Sequence, residues 1–279
     1  MTKFRLLALD IDGTTLNSRG EVSPRVRAAV ARAQLAGMLV TLATGRSLRA
    51  ALPVAGDLQI SAPLILSNGA LVTAPQTGQT FLHRPLNRTV AVAAARLLQH
   101  LGFMVCANRF ALSGPDFFHD QAPAAPEQGL MLRREPEYVR QVYDMTGLAA
   151  SLDLLKVMTV DQTTAVERAA ERLRLELSGD FHVLVTREAP GYSLLELAPA
   201  GITKATGLER LAALNGILPH QIIAFGDNLN DLEMLRFAGM GVAMGNAPEA
   251  VKLAARMVTA SNDDDGVAVF LEQYAFRAA

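Results

Sequence analysis

Apolar residues in the first third of the chain follow two alternating patterns. Arg5–Leu9, Met38–Leu42 and Leu64–Leu66 are short apolar runs, which predict buried strands. Between the first two runs, a predicted helix begins after its cap, Ser23, and stops at Gly37. Its apolar residues recur at helical spacing and share one face: Val26, Ala29, Val30 and Ala33. Strand–helix–strand units of this length predict a parallel sheet with right-handed crossovers.

The middle of the chain has a different order of patterns. Asn87–Leu101 and Thr164–Leu177 carry apolar residues at helical spacing and predict helices. Leu154–Val160 and Val183–Thr186 have the composition of strands. Asn108–Pro136 is rich in Pro, Gly and Ala and fits neither pattern. This segment could be a loop over a binding site or an irregular part of a small domain.

The last third returns to the pattern of the first. A predicted helix opens at Thr203, and Ile222–Phe225 is an apolar run that predicts another strand. We therefore predict an α/β fold with a Rossmann-like core, in which helices cover both faces of a parallel sheet. The core is expected to comprise residues 1–83 and 191–279, interrupted by an inserted α/β cap domain at residues 84–190.

Composition narrows the range of partners. The net charge of −1 offers no electrostatic footprint for nucleic acid or an anionic membrane. The lone cysteine, Cys106, cannot form an intramolecular disulfide, which fits a reducing compartment. Asp10 interrupts the first apolar run, which argues against a signal peptide, and charged and polar residues break the long apolar stretch Val90–Ala107. We expect a cytoplasmic protein, monomeric or weakly self-associating, that binds neither nucleic acid nor membrane.

Three polar motifs follow predicted strands. Asp10–Thr14 follows the first strand, Thr44–Arg46 follows the second, and Gly226–Asp231 follows the strand in the last third. In open parallel sheets, ligands bind beyond the carboxyl ends of the strands. This shared position predicts that the three motifs form one site.

Each feature also has a simpler explanation by itself. Asp10–Thr14 could be a solvated turn, Thr44-Gly45 an ordinary turn from strand to helix, and Gly226–Asp231 the capped start of a helix. Lys204 could be an ordinary surface lysine. All of these explanations would have to hold together, so we favour a single functional site.

The acidic residues of the motifs indicate a metal ion. Asp10, Asp12, Asp227 and Asp231 would repel one another if nothing compensated their charge. Oxygen ligands without histidine suit Mg²⁺ and argue against zinc or non-haem iron. Such an ion could also bridge Asp10 and a phosphoryl oxygen, two groups that otherwise repel each other.

The remaining polar residues of the motifs suit the binding of a phosphate group. Phosphoryl transfer requires positive charge and hydrogen-bond donors around the phosphoryl oxygens. Thr44 offers a hydroxyl, Gly45 a backbone N–H, and Asn230 a side-chain amide. Lys204 offers an ammonium group at the start of a predicted helix.

Two carboxylates suit the chemical step. As a nucleophile, Asp10 would divide the transfer into two steps and avoid direct attack of water on an anionic ester. Asp12 would then protonate the leaving oxygen and later accept a proton from water. Arg46 could either reach the leaving portion of the substrate or pair with an acidic residue.

The sequence resembles the haloacid dehalogenase superfamily, in particular its Cof-type phosphatases with a mixed α/β cap. The matching motifs extend over nearly the whole chain: Asp10–Thr14, Ala43–Arg46, Asn68–Ala70, Glu196–Lys204, Gly226–Asp231, Val242–Ala247 and Ala260–Ala268. The resemblance implies that the inserted domain is the cap and that substrate choice lies there. Within the cap, Asn108–Pro136 matches no motif of the family.

The resemblance also implies a role for each motif residue. Asp10 would be the nucleophile and a Mg²⁺ ligand, and Asp12 the acid and base, with its backbone carbonyl on the metal. Asp227 would be the second carboxylate ligand, and Asp231 would bind the metal through water or orient its neighbours. The phosphate group would be held by the Ile11 backbone amide together with Thr44, Gly45, Lys204 and Asn230.

The predicted function is Mg²⁺-dependent hydrolysis of small phosphate monoesters, such as sugar phosphates or phosphorylated cofactors. The first alternative is phosphoryl transfer to another sugar, as in the related phosphomannomutases. The second is an inactive metabolite-binding protein, against which the complete set of acids and Lys204 argues. A P-loop nucleotide hydrolase does not fit, because the sequence has no Gly-x4-Gly-Lys-Ser/Thr motif.

Overall fold

A computed structural model of the chain describes residues 4–132 and 136–275. The chain divides into two compact units. The core unit comprises Met1–His83 and Ile202–Ala279, and the inserted unit comprises Arg84–Gly201. No helix among the described residues combines the length and the apolar character that spanning a bilayer requires.

The second boundary of the inserted unit lies further along the chain than the sequence predicts. The sequence placed it at 190/191, whereas the inserted unit ends at Gly201. The reason is the strand Tyr192–Pro199, which is not among the strands predicted from the sequence. This strand hydrogen-bonds on one side to Phe181–Ala189 and on the other to Leu154–Gln162, so it belongs to the inserted sheet.

The core unit is built on a parallel sheet, as predicted. With strands numbered along the chain, it contains β1 (Leu6–Leu9), β2 (Leu39–Leu42), β3 (Leu64–Leu66), β4 (Leu71–Thr73), β5 (Thr80–His83), β12 (Ile222–Gly226), β13 (Met240–Ala243) and β14 (Met257–Val258). Five of these strands form the parallel sheet, in the order β14-β13-β12-β1-β2. The strands β12, β1 and β2 are therefore neighbours.

The third predicted strand, β3, is not a full member of this sheet. It makes one parallel bridge, from Ile65 to Ala43, and otherwise pairs antiparallel with β4, which in turn pairs with β5. Ser67 and Asn68 explain the difference, because their φ angles of 49° and 54° are left-handed. These two residues turn the chain back immediately after β3 and start a small antiparallel sheet.

Helices cover both faces of the parallel sheet, as predicted. The core unit contains α1 (Pro24–Leu35), α2 (Leu48–Asp57), α7 (Lys204–Leu214), α8 (Leu232–Phe237), α9 (Glu249–Ala254) and α10 (Gly266–Phe270). Leu6 and Ala8 of β1 pack in one apolar cluster with residues of α7, α8 and α9. On the opposite face, Phe225 of β12 makes an edge-to-face contact with Phe270 of α10, with ring centroids 5.3 Å apart.

The inserted unit contains a second, mixed sheet. Its strands are β6 (Cys106–Arg109), β7 (Phe117–His119), β8 (Val139–Gln141), β9 (Leu154–Gln162), β10 (Phe181–Ala189) and β11 (Tyr192–Pro199), in the order β10-β11-β9-β6-β7-β8. Neighbouring strands are antiparallel except β7 and β8. Its helices are α3 (Arg88–His100), α4 (Pro126–Gly129), α5 (Met145–Ser151) and α6 (Thr163–Glu176).

The segment that resisted assignment, Asn108–Pro136, contains the end of β6, the strand β7 and the short helix α4. Its residues 133–135 lie outside the described residues. Cys106 is fully buried beside Met104, Phe117 and Met158, and is therefore a residue of the apolar core. The helices predicted on either side, α3 and α6, pack their apolar faces against the sheet.

The cap of α1 forms as predicted and leads to a stability prediction. The Ser23 hydroxyl accepts a hydrogen bond from the Val26 N–H and donates one to Asp265. Replacing Ser23 with Ala removes both bonds, so we expect a loss of about 1 kcal/mol in the free energy of unfolding. Urea denaturation measures this loss. Ser23→Thr keeps the hydroxyl and is the control, and an alanine variant as stable as the wild type would contradict the assigned cap.

Candidate active site

The carboxyl ends of β12, β1 and β2 bring the three polar motifs to one edge of the core sheet. Leu9 lies in register with Phe225 on one side and Leu42 on the other. The motifs begin one or two residues after these positions and therefore meet at the same edge. The backbone N–H of Asp10 donates to the Phe225 carbonyl at 3.1 Å, which continues the strand pairing into the site.

The loop after β1 closes tightly against Asp227. The hydroxyl of Thr14 donates to Oδ1 of Asp227 at 2.9 Å. Gly13 has a φ of 75°, and a Cβ at this position would lie 2.3 Å from Oδ2 of Asp227. Glycine is therefore required here both for the left-handed backbone and for the close approach of the carboxylate. The Asn246 amide also donates to the Gly13 carbonyl, at 2.9 Å, and supports the loop.

Lys204 joins two of the acids. Its Nζ lies 2.6 Å from Oδ1 of Asp10 and 2.6 Å from Oδ1 of Asp231. All three residues are buried, with Lys204 only 1% exposed, so the simpler interpretation of Lys204 as a surface lysine is wrong. The reason is its place at the first residue of α7, which packs against the sheet.

Asp231 acts as an anchor for the loop after β12. Besides accepting from Lys204 at Oδ1, it accepts the backbone N–H groups of Asp227 and Asn228 at Oδ2, at 3.0 and 2.9 Å. Both of its oxygens are therefore occupied by hydrogen bonds from the protein. This geometry suits the orienting role that the resemblance implied as one possibility for this residue.

The acids fit a Mg²⁺ site. Asp10, Asp227 and Asp231 each offer a carboxylate oxygen, and these oxygens lie within 4.8 Å of one another. The Oδ1 atoms of Asp10 and Asp227 accept the hydrogen bonds described above, and both carboxylates keep further lone pairs for a cation. A donor set of carboxylate oxygens suits a hard cation such as Mg²⁺. The side chain of Asp12 does not belong to this group.

Burial changes the protonation of these groups. Desolvation raises the pKa of Asp10 well above its ordinary value, although the Lys204 ammonium opposes this shift. Burial by itself would lower the pKa of Lys204, but the Asp10 and Asp231 carboxylates outweigh it and raise that pKa. Desolvation likewise raises the pKa of Asp227 to about 6, against the hydrogen bond from Thr14. A bound cation would oppose the protonation of both Asp10 and Asp227.

Arg46 pairs with Asp12. Its Nε and Nη2 atoms donate to the two carboxylate oxygens of Asp12, at 2.9 and 2.5 Å. Its Nη1 donates to the Ala50 carbonyl at 3.1 Å, which fixes the guanidinium at its other edge. Of the two possibilities that the sequence left open for Arg46, the structure shows pairing with an acid. That acid is the side chain predicted to be the proton donor.

The predicted phosphate-binding residues surround the same edge of the sheet. Thr44 is buried, and its hydroxyl accepts the Arg46 N–H at 3.1 Å. The Ile11 side chain is fully buried in the loop after β1. The Asn230 amide nitrogen donates to Oδ1 of Asn68 at 3.0 Å, and the amide carbon of Asn68 would lie 3.6 Å from a Cβ on Gly45.

The sequence pattern indicates no role for Asn68, Thr14 or Asn246, although all three contact residues of the site motifs. The available signals for Asn68 were its Asn-Gly pair one residue after a predicted strand, which is typical of a tight turn, and its place in a motif of the resemblance. Thr14 lies within the first acidic motif and Asn246 within a motif of the resemblance. Their hydrogen bonds depend on chain segments that are remote in sequence, so the motifs alone did not reveal them.

Comparison with known proteins gives matches along nearly the whole chain. The haloacid dehalogenase-like hydrolase family matches residues 7–271. The 5-amino-6-(5-phospho-D-ribitylamino)uracil phosphatase YitU of Bacillus subtilis is 31% identical, over 98% of this chain and 98% of its own. The pyridoxal phosphate phosphatase YbhA of Escherichia coli is 28% identical, over 96% of this chain and 97% of its own.

Solved structures agree with this result. A haloacid dehalogenase-like hydrolase from Bacteroides thetaiotaomicron superposes with a TM-score of 0.83 at 30% identity, covering 97% of this chain and 99% of its own. A protein from Thermotoga maritima also has a TM-score of 0.83, at 27% identity, covering 99% of both chains. The chain therefore has a known α/β fold, with a parallel core sheet and an inserted mixed sheet.

The raised pKa of Asp227 predicts how a substitution changes stability with pH. Because desolvation raises this pKa from 3.8 to about 6, ionisation of Asp227 opposes folding of the metal-free protein as the pH rises through this range. We expect Asp227→Asn to remove the penalty. At about pH 4 the substitution should leave the free energy of unfolding unchanged. Above about pH 6 it should raise this free energy by a constant amount of about 1–2 kcal/mol, after allowance for partial exposure.

Urea denaturation in EDTA at several pH values measures the effect. Asp57→Asn, at an exposed aspartate of the same unit, is the matched control and should leave the pH dependence unchanged. Addition of Mg²⁺ should stabilise the wild type at neutral pH and have little effect on Asp227→Asn. If Asp227→Asn is less stable than the wild type above pH 6 in EDTA, the inferred cost of ionisation is contradicted.

Proposed function

This chain belongs to the haloacid dehalogenase-like hydrolase family and is a phosphatase of that type, and we propose that it hydrolyses small phosphate monoesters through an aspartyl-phosphate on Asp10. The observation that carries the proposal is the position of Asp10. Its carboxylate is buried, bound at Oδ1 by Lys204 and adjacent to Asp227, which leaves Oδ2 as the candidate nucleophile.

In the first step, a carboxylate oxygen of Asp10 forms a bond to phosphorus while the bond from phosphorus to the leaving oxygen breaks. Asp12 gives its proton to that oxygen, so that an alcohol leaves. In the second step, a water oxygen attacks phosphorus, Asp12 accepts the proton of the water, and the bond to Asp10 breaks. Inorganic phosphate leaves, and both carboxyl groups return to their starting state.

The phosphoryl oxygens are held by the residues that the family resemblance assigns. Lys204 supplies a buried positive charge, and the low exposure of this ammonium strengthens its interaction with an anion. The other proposed donors are the Thr44 hydroxyl, the Asn230 amide, and the backbone N–H groups of Ile11 and Gly45. Arg46 contributes through Asp12, the side chain that it contacts.

The proposed cofactor is Mg²⁺. Asp10 and Asp227 are the proposed carboxylate ligands, together with the backbone carbonyl of Asp12, and Asp231 holds the Asp227 loop in place. When bound, the ion would neutralise charge on the phosphate group and keep Asp10 ionised for attack. The residues of the chain orient the phosphate group, and Asp12 transfers the proton.

The substrate class is proposed from the site and from the relatives. All the proposed site residues lie in the core unit. They are proposed to act on the phosphate group, which all phosphate esters share, so they do not distinguish one ester from another. We therefore assign the choice of leaving portion to the inserted unit. One relative is named as a phosphatase of 5-amino-6-(5-phospho-D-ribitylamino)uracil and another as a phosphatase of pyridoxal phosphate. These names support small phosphorylated metabolites as the substrate class, including sugar phosphates and phosphorylated cofactors.

Replacing Asp10 with Asn tests the covalent step. Phosphate release is measured from a panel of sugar phosphates, nucleotides and pyridoxal phosphate, with Mg²⁺ or with EDTA. We expect Mg²⁺-dependent release by the wild type and a loss of at least about 10³-fold in kcat for Asp10→Asn, because an amide oxygen is a poor nucleophile. Asp57→Asn is the control and should keep wild-type rates.

The outcomes of this experiment separate the alternatives. Release that survives in Asp10→Asn would exclude Asp10 as the nucleophile. Consumption of an ester without phosphate release, seen only with an added sugar acceptor or a bisphosphate activator, would indicate a phosphotransferase. No turnover of any ester by the wild type would indicate a metabolite-binding protein instead of an enzyme.

The role of Asp12 predicts a dependence on the leaving group. For Asp12→Asn we expect kcat/KM to fall about 10²- to 10⁴-fold with alkyl esters such as sugar phosphates. With p-nitrophenyl phosphate we expect a fall of less than about tenfold, because its leaving oxygen needs no proton. The ratio kcat/KM reports the steps up to the release of the leaving group. Equal losses with both esters would show that Asp12 is not the proton donor.

A further inference from the structure

The turn after β3, Ser67–Gly69, is bonded to the loop that follows β2. The Ser67 N–H donates to the Arg46 carbonyl, and the Asn68 N–H donates to the Thr44 carbonyl, both at 3.0 Å. In return, the Thr44 N–H donates to the carbonyl of Ile65 in β3 at 2.9 Å. These backbone bonds fix the turn relative to the Thr44-Gly45 segment, which is proposed to hold the phosphate.

The same turn lies against the start of α7. A Cβ placed on Gly69, whose φ is 97°, would lie 1.9 Å from the Thr203 carbonyl oxygen. The backbone of the turn therefore contacts the residue directly before Lys204. No side chain fits between them, so the turn and the start of α7 hold each other at a fixed separation.

Asn68 extends this contact to a third segment through its side chain. The residue is buried, with a φ of 54°, a left-handed conformation that asparagine tolerates better than most residues. Its Oδ1 accepts a hydrogen bond from the amide nitrogen of Asn230 at 3.0 Å. A Cβ on Gly45 would lie 3.1 Å from the same Oδ1, so the Asn68 amide lies between Gly45 and Asn230.

This contact determines the orientation of the Asn230 amide, with Nδ2 facing Asn68 and Oδ1 facing away from it. With Asn68 as it stands, a rotation of the Asn230 amide by half a turn would bring two carbonyl oxygens together, and two acceptors repel each other. The bond to Asn68 uses one of the two hydrogens on Asn230 Nδ2, which leaves the second for another acceptor. Asn230 Oδ1 is buried and has no hydrogen-bond partner among the described residues, so the bond to Asn68 is the contact that fixes the amide.

We propose that Asn68 is a positioning residue that presents the Asn230 amide to the phosphate group of the substrate. The inference rests on the proposed phosphatase function and adds to it a residue that does not itself touch substrate. Because the phosphate group is bound both before and during the reaction, losing this orientation should weaken ground-state and transition-state binding alike. The effect should therefore appear in KM far more than in kcat.

Asn68→Gly tests this inference, because glycine adopts a φ of 54° without strain and lacks only the amide. Inorganic phosphate serves as a competitive inhibitor and reports binding of the phosphate group without chemistry. We expect KM for the ester and Ki for inorganic phosphate to rise together by about tenfold, the worth of one hydrogen bond to a charged group. We expect kcat to change by less than about twofold.

A double-mutant cycle distinguishes positioning from a general structural effect. Asn230→Ala alone should raise the Ki for inorganic phosphate by at least as much as Asn68→Gly. Because Asn68 is proposed to act through Asn230, the double variant should resemble Asn230→Ala alone. Asn215→Gly makes the same change at an exposed residue directly after α7 and should leave KM and Ki unchanged.

A second variant keeps the inference testable if Asn68→Gly does not fold. Gly45→Ala leaves residue 68 intact, but its Cβ would lie 3.1 Å from Asn68 Oδ1 and displace the amide. It should raise Ki in the wild-type background and have no further effect on Asn230→Ala. An effect of the same size in both backgrounds would mean that Gly45 acts on the phosphate directly and would overturn the positioning role of Asn68.

Phosphate release by the wild type distinguishes a failure of this inference from a failure of the proposed function. If the wild type releases phosphate and Asn68→Gly has an unchanged Ki, or its effect adds fully to that of Asn230→Ala, the positioning role is wrong and the phosphatase function stands. If the wild type releases phosphate from no ester, the proposed function fails, and the positioning role fails with it.

Discussion

The candidate active site depends on the two ion pairs that the ammonium group of Lys204 makes. This group lies 2.6 Å from a carboxylate oxygen of Asp10 and 2.6 Å from one of Asp231, and all three side chains are buried. The acids follow β1 and β12, and the lysine begins α7, so the cluster joins three separate elements. Removal of Lys204 would leave two buried carboxylates without their partner, and breaking a buried ion pair costs several kcal/mol in other proteins. The site is therefore also part of what holds the sheet edge together.

The same cluster explains why a divalent cation suits this edge of the sheet. Three ionised carboxylates and one ammonium group would leave a net charge of −2 in a largely buried space. In the metal-free protein, desolvation by burial raises the pKa of Asp10 and of Asp227, neighbouring carboxylates add to both shifts, and further positive charge would oppose them. A hard cation would supply that charge and keep Asp10 ionised. The electrostatics of the fold and the requirements of phosphoryl transfer therefore agree.

Much of the core unit could be predicted from local patterns. The runs that form β1, β2 and β12, the Ser23 cap and the apolar stripe of α1 depend on neighbouring residues, so the sequence shows them directly. The strand Tyr192–Pro199 was missed although most of its residues are apolar, and its second half lies within the motif Glu196–Lys204. The pairing of β3 was also mistaken, since the left-handed turn at Ser67 and Asn68, and not the apolar run, decides its partner.

By itself, the sequence determined which residues are candidates for the chemistry and that most of them follow strands, because apolar periodicity and motif spacing are local properties of the chain. Only the tertiary structure decided which of them meet. It placed Lys204 between Asp10 and Asp231, turned Arg46 toward Asp12, and set Asn68 against Asn230. These contacts join residues that are from 27 to 194 positions apart. Spacing along the chain carries no information about such distances, since they depend on strand order and on how the helices pack.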